Sequence, residues 1–138
     1  MSNDPGPRYS YAIAPDARLA LGRMFGTVDG DDMLEMVSAV YHDKRWRPEF
    51  DVIWDCSRVA AHVVLPDDVT PIIDEASEAM GRGVLIESPS VGGELIAELL
   101  AMRSRIRGNH VVVCKTMEAA LSALGHASLP AELREPGL

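Results

Sequence analysis

The residues best equipped for chemistry lie together at Asp55, Cys56, Ser57 and Arg58, with His62 a little further along. A thiolate at Cys56 would be a nucleophile if its pKa were lowered, and a carboxylate at Asp55 could orient a base or hold a ligand. His62 is not close in sequence and would have to approach in space. Neighbouring carboxylates work against the thiol, because negative charge disfavours a thiolate. The simpler role for Asp55 is to cap a Ser57–Arg58 turn through local backbone hydrogen bonds, with Cys56 packed as a small hydrophobe. No spacing here matches a catalytic motif, so the expectation is a protein that is not an enzyme.

A second stretch, Ser88-Pro89-Ser90-Val91-Gly92-Gly93, precedes a helix. Ser88, Ser90, Gly92 and Gly93 form a candidate anion site, since free N–H groups and the helix dipole could hold a phosphate or carboxylate. No lysine follows to make a Walker loop, and Gly-x-Gly-x-x-Gly is absent. The alternative is an ordinary N-cap, with the glycines allowing close helix–sheet packing. Trp46, within Lys44-Arg45-Trp46-Arg47, either joins a contact patch, as aromatic and arginine side chains do at hot spots, or packs over the end of the sheet. His42, His62, His110 and His126 are widely separated, so no metal set is expected. Asp29, Asp31 and Asp32 lack the bidentate glutamate of a calcium loop and suit helix capping instead. No cofactor is implied. Met24, Met33, Met36, Met80 and Met102 either fill the core or line an adaptable apolar pocket.

These residues need elements to position them. Residues 1–8 read as a disordered polar leader. Ser10–Ala14 and Leu19–Phe25, joined by Pro15-Asp16-Ala17-Arg18, have hairpin spacing, with Gly26 ending the second strand. The carboxylates after Thr27 start a helix whose apolar stripe is Met33, Val37, Val40 and Tyr41, widened by Leu34 and Met36, and which ends near His42. Asp51-Val-Ile-Trp-Asp55 is short and almost wholly apolar, the mark of an interior strand, with Asp55 at its carboxyl end, where open α/β sheets place working residues. A second helix opens near Leu65-Pro66-Asp67-Asp68 and carries Val69, Ile72, Ile73, Ala76 and Met80 on one face. Pro71 sets its true start nearer Asp68 or loosens the first turn.

Gly81-Arg82-Gly83 stops that helix before a strand at Val84–Glu87. A third helix, with Leu95, Ile96, Leu99, Leu100 and Met102 on its apolar face, runs to about Arg105. Gly108-Asn109 turns into a strand at His110–Cys114. Thr116 caps a last helix, Met117–Leu124, ended by Gly125. Residues 126–138 form a C-terminal tail that either docks through Leu129 and Leu133 or stays mobile. The order β-β-α-β-α-β-α-β-α implies crossover connections and a mainly parallel sheet with an antiparallel edge.

Composition sets the class. The 138 residues fit one domain with 47% hydrophobic and 25% charged residues, the balance of a globular protein. A net charge of −8, from 21 acidic against 13 basic residues, argues against nucleic-acid binding and against an anionic membrane surface. Two cysteines, Cys56 and Cys114, make no secreted framework and could pair only if their strands were neighbours. No signal peptide and no run long enough for membrane insertion is visible, so the simplest location is cytoplasmic.

The pattern resembles a known family. The hairpin ending in Phe25-Gly26-Thr27-Val28, then Trp46-Arg47-Pro48-Glu49-Phe50-Asp51, Val52-Ile53-Trp54-Asp55-Cys56-Ser57-Arg58-Val59, Leu65-Pro66-Asp67-Asp68-Val69 and Glu118–Leu124 look like the SpoIIAA-like (STAS-type) domains of bacteria. That fold class is shared with lipid-binding domains of the CRAL-TRIO kind. The likeness spans residues 9–125. It implies a protein-interaction module, in its best-known members an anti-sigma-factor antagonist switched by phosphorylation of a serine at the start of the helix after the central strand. Here that region reads His62-Val63-Val64-Leu65-Pro66-Asp67-Asp68, without the Asp-Ser-Ser-Gly type motif. Ser57 and Thr70 do not match the serine's place, and a phosphoryl group beside two aspartates would meet like charge.

The expected architecture is therefore α/β and SpoIIAA-like: a mixed, mainly parallel sheet of about five strands with four helices and an opening β-hairpin. The expected role is a non-enzymatic regulatory or interaction module, with a protein partner or a homodimer. Its surface would comprise Asp55, Ser57, Arg58, Asp67, Asp68 and Trp46. The alternative is a carrier or sensor that holds a lipid-like or small apolar ligand between sheet and helices.

Overall fold

The computed structural model describes residues 8–79 and 81–134. Residues 1–7, Met80 and residues 135–138 lie outside the described residues, and with them most of the expected leader, the Met80 end of the second helix's stripe and the end of the tail. Five strands form one sheet in the order β1-β2-β3-β4-β5: β1 (Tyr9–Ala14), β2 (Leu19–Asp29), β3 (Asp51–Val63), β4 (Gly83–Ile86) and β5 (Val111–Cys114). The first pair is antiparallel and all others are parallel. Four helices connect or follow them: α1 (Gly30–Tyr41), α2 (Pro66–Ala79), α3 (Gly93–Ile106) and α4 (Met117–Leu124). The mixed sheet and opening hairpin agree with the expected architecture.

Each parallel strand lies beside its predecessor, so three successive crossovers of one hand place α1, α2 and α3 on the same face. Ala20, Met24, Val52, Trp54, Cys56 and Leu85 pack there against Met33, Met36, Val37, Val69, Ile72, Ile73 and Leu100. On the opposite face Leu19, Leu21, Ile53, Val84 and Ile86 meet Ala120, Leu121 and Leu124 of α4, together with Leu133. Leu133 belongs to a 3-10 turn over Ala131–Leu133, so the described part of the tail docks as a structural layer.

Local chemistry fixes the helix ends. Asp29 accepts from the Asp32 N–H at 2.8 Å while the Asp32 carboxylate accepts from the Asp29 N–H at 3.0 Å, a reciprocal capping box. The Asp68 carboxylate accepts the Leu65 N–H at 2.7 Å at the start of α2. That start is Pro66, earlier than Pro71 suggests, and Pro71 is carried inside the helix on its exposed side. Thr116 caps α4, and Gly125 closes it in the left-handed region at φ 79°.

Two strands run further than their sequences suggest. Gly26 does not end β2; it adopts φ 68° beside two irregularities of register, and β2 continues to Asp29. The expected turn at Ser57–Arg58 is likewise strand. β3 pairs with β4 only over Val52–Asp55 but with β2 as far as Val63, so β2 and β3 leave the sheet as a two-stranded ribbon.

Candidate functional site

Because each crossover helix runs back against its strands, the N-termini of α1, α2 and α3 share the edge where the parallel strands end. Their first turns carry Asp31 and Asp32, Asp67 and Asp68, and Glu94, where carboxylates complement the helix dipole. Exposed apolar side chains stand among them: Val63 at 56%, Leu65 at 62%, Leu95 at 72% and Val91 fully exposed. Ser57, Arg58 and Asp67 are exposed, and Asp68 is half-buried by its capping role.

Two expected surface residues are corrected. Trp46 is buried, edge-on to Tyr41 at 5.0 Å between ring centroids and to Phe50 at 5.8 Å. It packs over the end of the sheet and presents no face to a partner. Asp55 is also buried, because the strand continues past it. It lies on the face opposite α1–α3, accepts the Ser57 N–H at 2.9 Å and lies 4.0 Å from Arg23. The local backbone bond anticipated for Asp55 is present, but in a strand and not in a turn.

The serine–glycine loop is tied inward. Ser88 donates to the Val59 carbonyl at 2.8 Å, and its hydroxyl accepts the Ser90 N–H at 3.0 Å and meets the Ser90 hydroxyl at 2.6 Å. The Gly93 N–H donates to the Ser90 carbonyl at 3.0 Å. The two serines thus spend their hydrogen bonds on anchoring the loop to the ribbon. Gly92, at φ 82°, caps α3 without a side chain.

Cys56 and His62 do come together, on either side of a void of about 10 Å³ between the ribbon, β4 and α3. Their electrostatics oppose nucleophilic catalysis. Burial and the Asp55 charge push the Cys56 thiol up to about 12, while burial pushes the His62 imidazole down. A thiolate–imidazolium pair needs both shifts reversed. Alkylation of Cys56 by iodoacetamide in the folded protein should therefore be negligible at pH 8 and rise only toward pH 12 or on unfolding, as peptide mass mapping would read. Rapid labelling at pH 7 would restore the nucleophile. Cys56 and Cys114 are both free, on strands separated by β4. Among the described residues no three His, Cys, Asp or Glu side chains gather as a metal site.

A larger apolar cavity, of about 60 Å³, lies between the sheet and helices α1, α2 and α3. Met33, Met36, Ile72, Ile73, Leu85 and Leu100 supply its apolar walls, and Tyr41, Trp54 and Ser104 also line it. The methionines are the visible signal in the sequence; Tyr41, Trp54 and Ser104, together with Asn109 in the same lining, carry none. The exposed Val63, Leu65 and Val91 carry no signal either, and Leu95 and Met102, expected on the apolar face of α3, are exposed, since apolar residues at element ends look like core.

With this geometry in view, comparison with known proteins gives the fold a class. No protein-family model and no curated protein matches the chain. An uncharacterized protein of the DUF3478 family with a SpoIIAA-like fold, from Shewanella loihica, superposes with a TM-score of 0.54 at 16% identity, covering 90% of this chain and 98% of that one. The anti-sigma factor antagonist SpoIIAA in its unphosphorylated form covers 85% of this chain and 97% of its own at 16% identity, with a TM-score of 0.48. The chain has a SpoIIAA-like fold, with the mixed five-stranded sheet and four helices of that class. No helix among the described residues is long and apolar enough to cross a membrane.

Proposed function

We propose that this chain is a non-enzymatic interaction or regulatory module of the STAS type, docking a protein partner through the edge where β3 and β4 end. The observation that carries the reading is the apolar set Val63, Leu65, Val91 and Leu95, exposed within a rim of Asp31, Asp67 and Glu94. Apolar anchors surrounded by charge are the anatomy of an interface, and the acidic rim selects a partner with basic residues around its own apolar contact. Ser57, Arg58 and Asp68 belong to the proposed surface. Regulation by a phosphoserine at the start of α2 has no residue to use, since Pro66, Asp67 and Asp68 fill that turn. An anion site at Ser88–Gly93 would have to rely on backbone N–H groups, the serine hydroxyls being engaged.

The test is Asp67→Arg. Affinity capture from the native cell extract should recover a stoichiometric partner with the wild-type chain and lose it with the variant, while the melting temperature is unchanged. A variant that keeps the partner removes this surface. A homodimer through the same edge would instead show as a concentration-dependent mass in sedimentation, lost in the same variant.

A second reading, a carrier or sensor for a small apolar ligand, is favoured by the cavity between sheet and helices. The two readings use different parts of the molecule and are not exclusive.

A further inference from the structure

Helix α3 has two apolar faces, and the fold uses one of them. Its buried side is Ala97, Leu100, Ala101 and Ser104, mostly small residues that seat the helix on the sheet. Its other large apolar side chains lie toward solvent. Leu95, Met102 and Ile106 are 72%, 46% and 74% exposed, and Leu99 is half-buried. Leu95, Leu99, Met102 and Ile106 follow at intervals of four, three and four residues. At about 100° per residue they form one line along the helix, opposite the buried side. That is the spacing of a helix–helix seam, held over the 14 residues of α3. A helix apolar on both sides calls for a partner on each, and the sheet supplies only one.

The charges beside the stripe identify the second partner. Glu94 and Glu98 are exposed in the first half of α3, and Arg103, Arg105 and Arg107 are exposed toward and just past its end. On the flank toward α2, Arg103 lines the groove between the two helices and Arg107 pairs with Asp74. Glu98 and Arg105 share the flank away from α2 and lie 3.9 Å apart. A second copy of α3 laid antiparallel on the stripe sets Leu95 against Ile106 and Leu99 against Met102. It also brings Glu98 of each copy beside Arg105 of the other, with the helix dipoles opposed. A parallel pairing would crowd the arginines of both copies at one end. The stripe and its outer flank are thus self-complementary about a two-fold axis, as an isologous interface requires. We infer that α3 is the seam of an antiparallel homodimer built on Leu95, Leu99, Met102 and Ile106, with Glu98–Arg105 pairs across the axis. The net charge of −8 on each copy opposes association, but physiological salt screens it beyond about 8 Å and leaves the contact pairs. Leu95 also belongs to the edge proposed above for a partner; Met102 and Ile106 do not.

Sedimentation equilibrium of the full chain, from about 1 to about 500 μM in physiological salt, tests the seam. Two heptads fall well below a standard interface of about 1,600 Å², so a reversible dimer with a Kd of tens of micromolar is expected. Ile106→Ser, at an exposed site, should leave the melting temperature unchanged and raise the Kd roughly a hundredfold, because each dimer loses the side chain twice. Glu98→Arg and Arg105→Glu should each raise it about tenfold by setting like charges across the axis. Mixing these two variants in equal amounts should restore dimer at wild-type concentrations, since every arginine then meets a glutamate of the other chain. The pair within one chain is broken in both variants, so recovery on mixing reads contacts between copies alone. A chain that is monomeric at every concentration overturns the inference. A dimer indifferent to Ile106→Ser forms on another face and overturns it too. Single variants that weaken the dimer without recovery on mixing overturn the antiparallel pairing. Asp67→Arg should leave the dimer intact; its loss there would move the contact to the edge where β3 and β4 end.

Discussion

Replacing Leu133 with alanine should lower the unfolding free energy by about 3 kcal/mol, the middle of the range for a buried leucine. The melting temperature should fall by roughly 10 °C, given the entropy of unfolding of a domain this size. Leu133 is 1% exposed although it lies next to the last described residue, Arg134. It packs with Leu121 and Leu124 over Leu19, Leu21 and Ile53. Its carbonyl accepts from the Arg23 guanidinium at 3.0 Å, and Arg23 in turn stands 4.0 Å from the buried Asp55. Losing the side chain leaves a cavity and loosens the turn that shields this charged pair. Urea titration should show a lower midpoint with an unchanged slope; a reduced slope would mean that the tail has already lifted in the native state. Glu132→Ala, on the exposed side of the same turn, should change stability by no more than about 0.5 kcal/mol. Equal effects at the two positions would show that the tail does not belong to the core.

The second large effect is at a glycine. Gly93→Ala should destabilise the fold by about 3 kcal/mol, at the upper end for overpacking a well-filled site. A Cβ at Gly93 would clash with the Ser88 carbonyl oxygen and lie 2.9 Å from its carbon. Backbone cannot step aside as a flexible side chain can, and Ser88 is further fixed by its bond to Val59. Its neighbour gives the internal control. Gly92 has φ 82° but open space around it, so Gly92→Ala should cost only the left-handed penalty of about 1–2 kcal/mol. Thermal melts of the two variants decide the matter, and a milder effect at Gly93 than at Gly92 would contradict the packing drawn for the start of α3.

Features set by residues a few positions apart were legible in the sequence. Thr116 and Gly125 bound α4 as their types require, and the Asp29–Asp32 cluster caps α1. The hydrophobic runs of β3, β4 and β5 separated by helical stripes yielded a mainly parallel sheet. The lost information concerned length and depth. Ser57-Arg58-Val59-Ala60-Ala61-His62-Val63 shows no clear alternation because, as a ribbon beyond β4, it has partners on one edge only and little to bury against. That hid the extension of β3 and put Asp55 at an imagined strand end. Gly26 looked like a terminator because a positive φ stops most strands, whereas a bulge uses it to bend one. Trp46 among positively charged neighbours left two roles open, and the fold selects the packed one: Arg45 and Arg47 remain at the surface while the indole goes in. The cavity depends on how far three helices stand from the sheet, a distance no local spacing encodes.

The sheet's simple strand order has a consequence for how the molecule forms. Every strand lies beside the one that precedes it in the chain, so pairing can advance strand by strand as the polypeptide leaves the ribosome, each new hairpin or crossover adding to an existing edge. The helices of one face arrive with their strands. The other face waits for residues 117–133, which alone bring α4 and Leu133 to cover Leu19, Leu21 and Ile53. A ribosome paused before that stretch would hold a half-clad sheet with a naked greasy side, the moment in the protein's life when chaperone capture and self-association are most favoured.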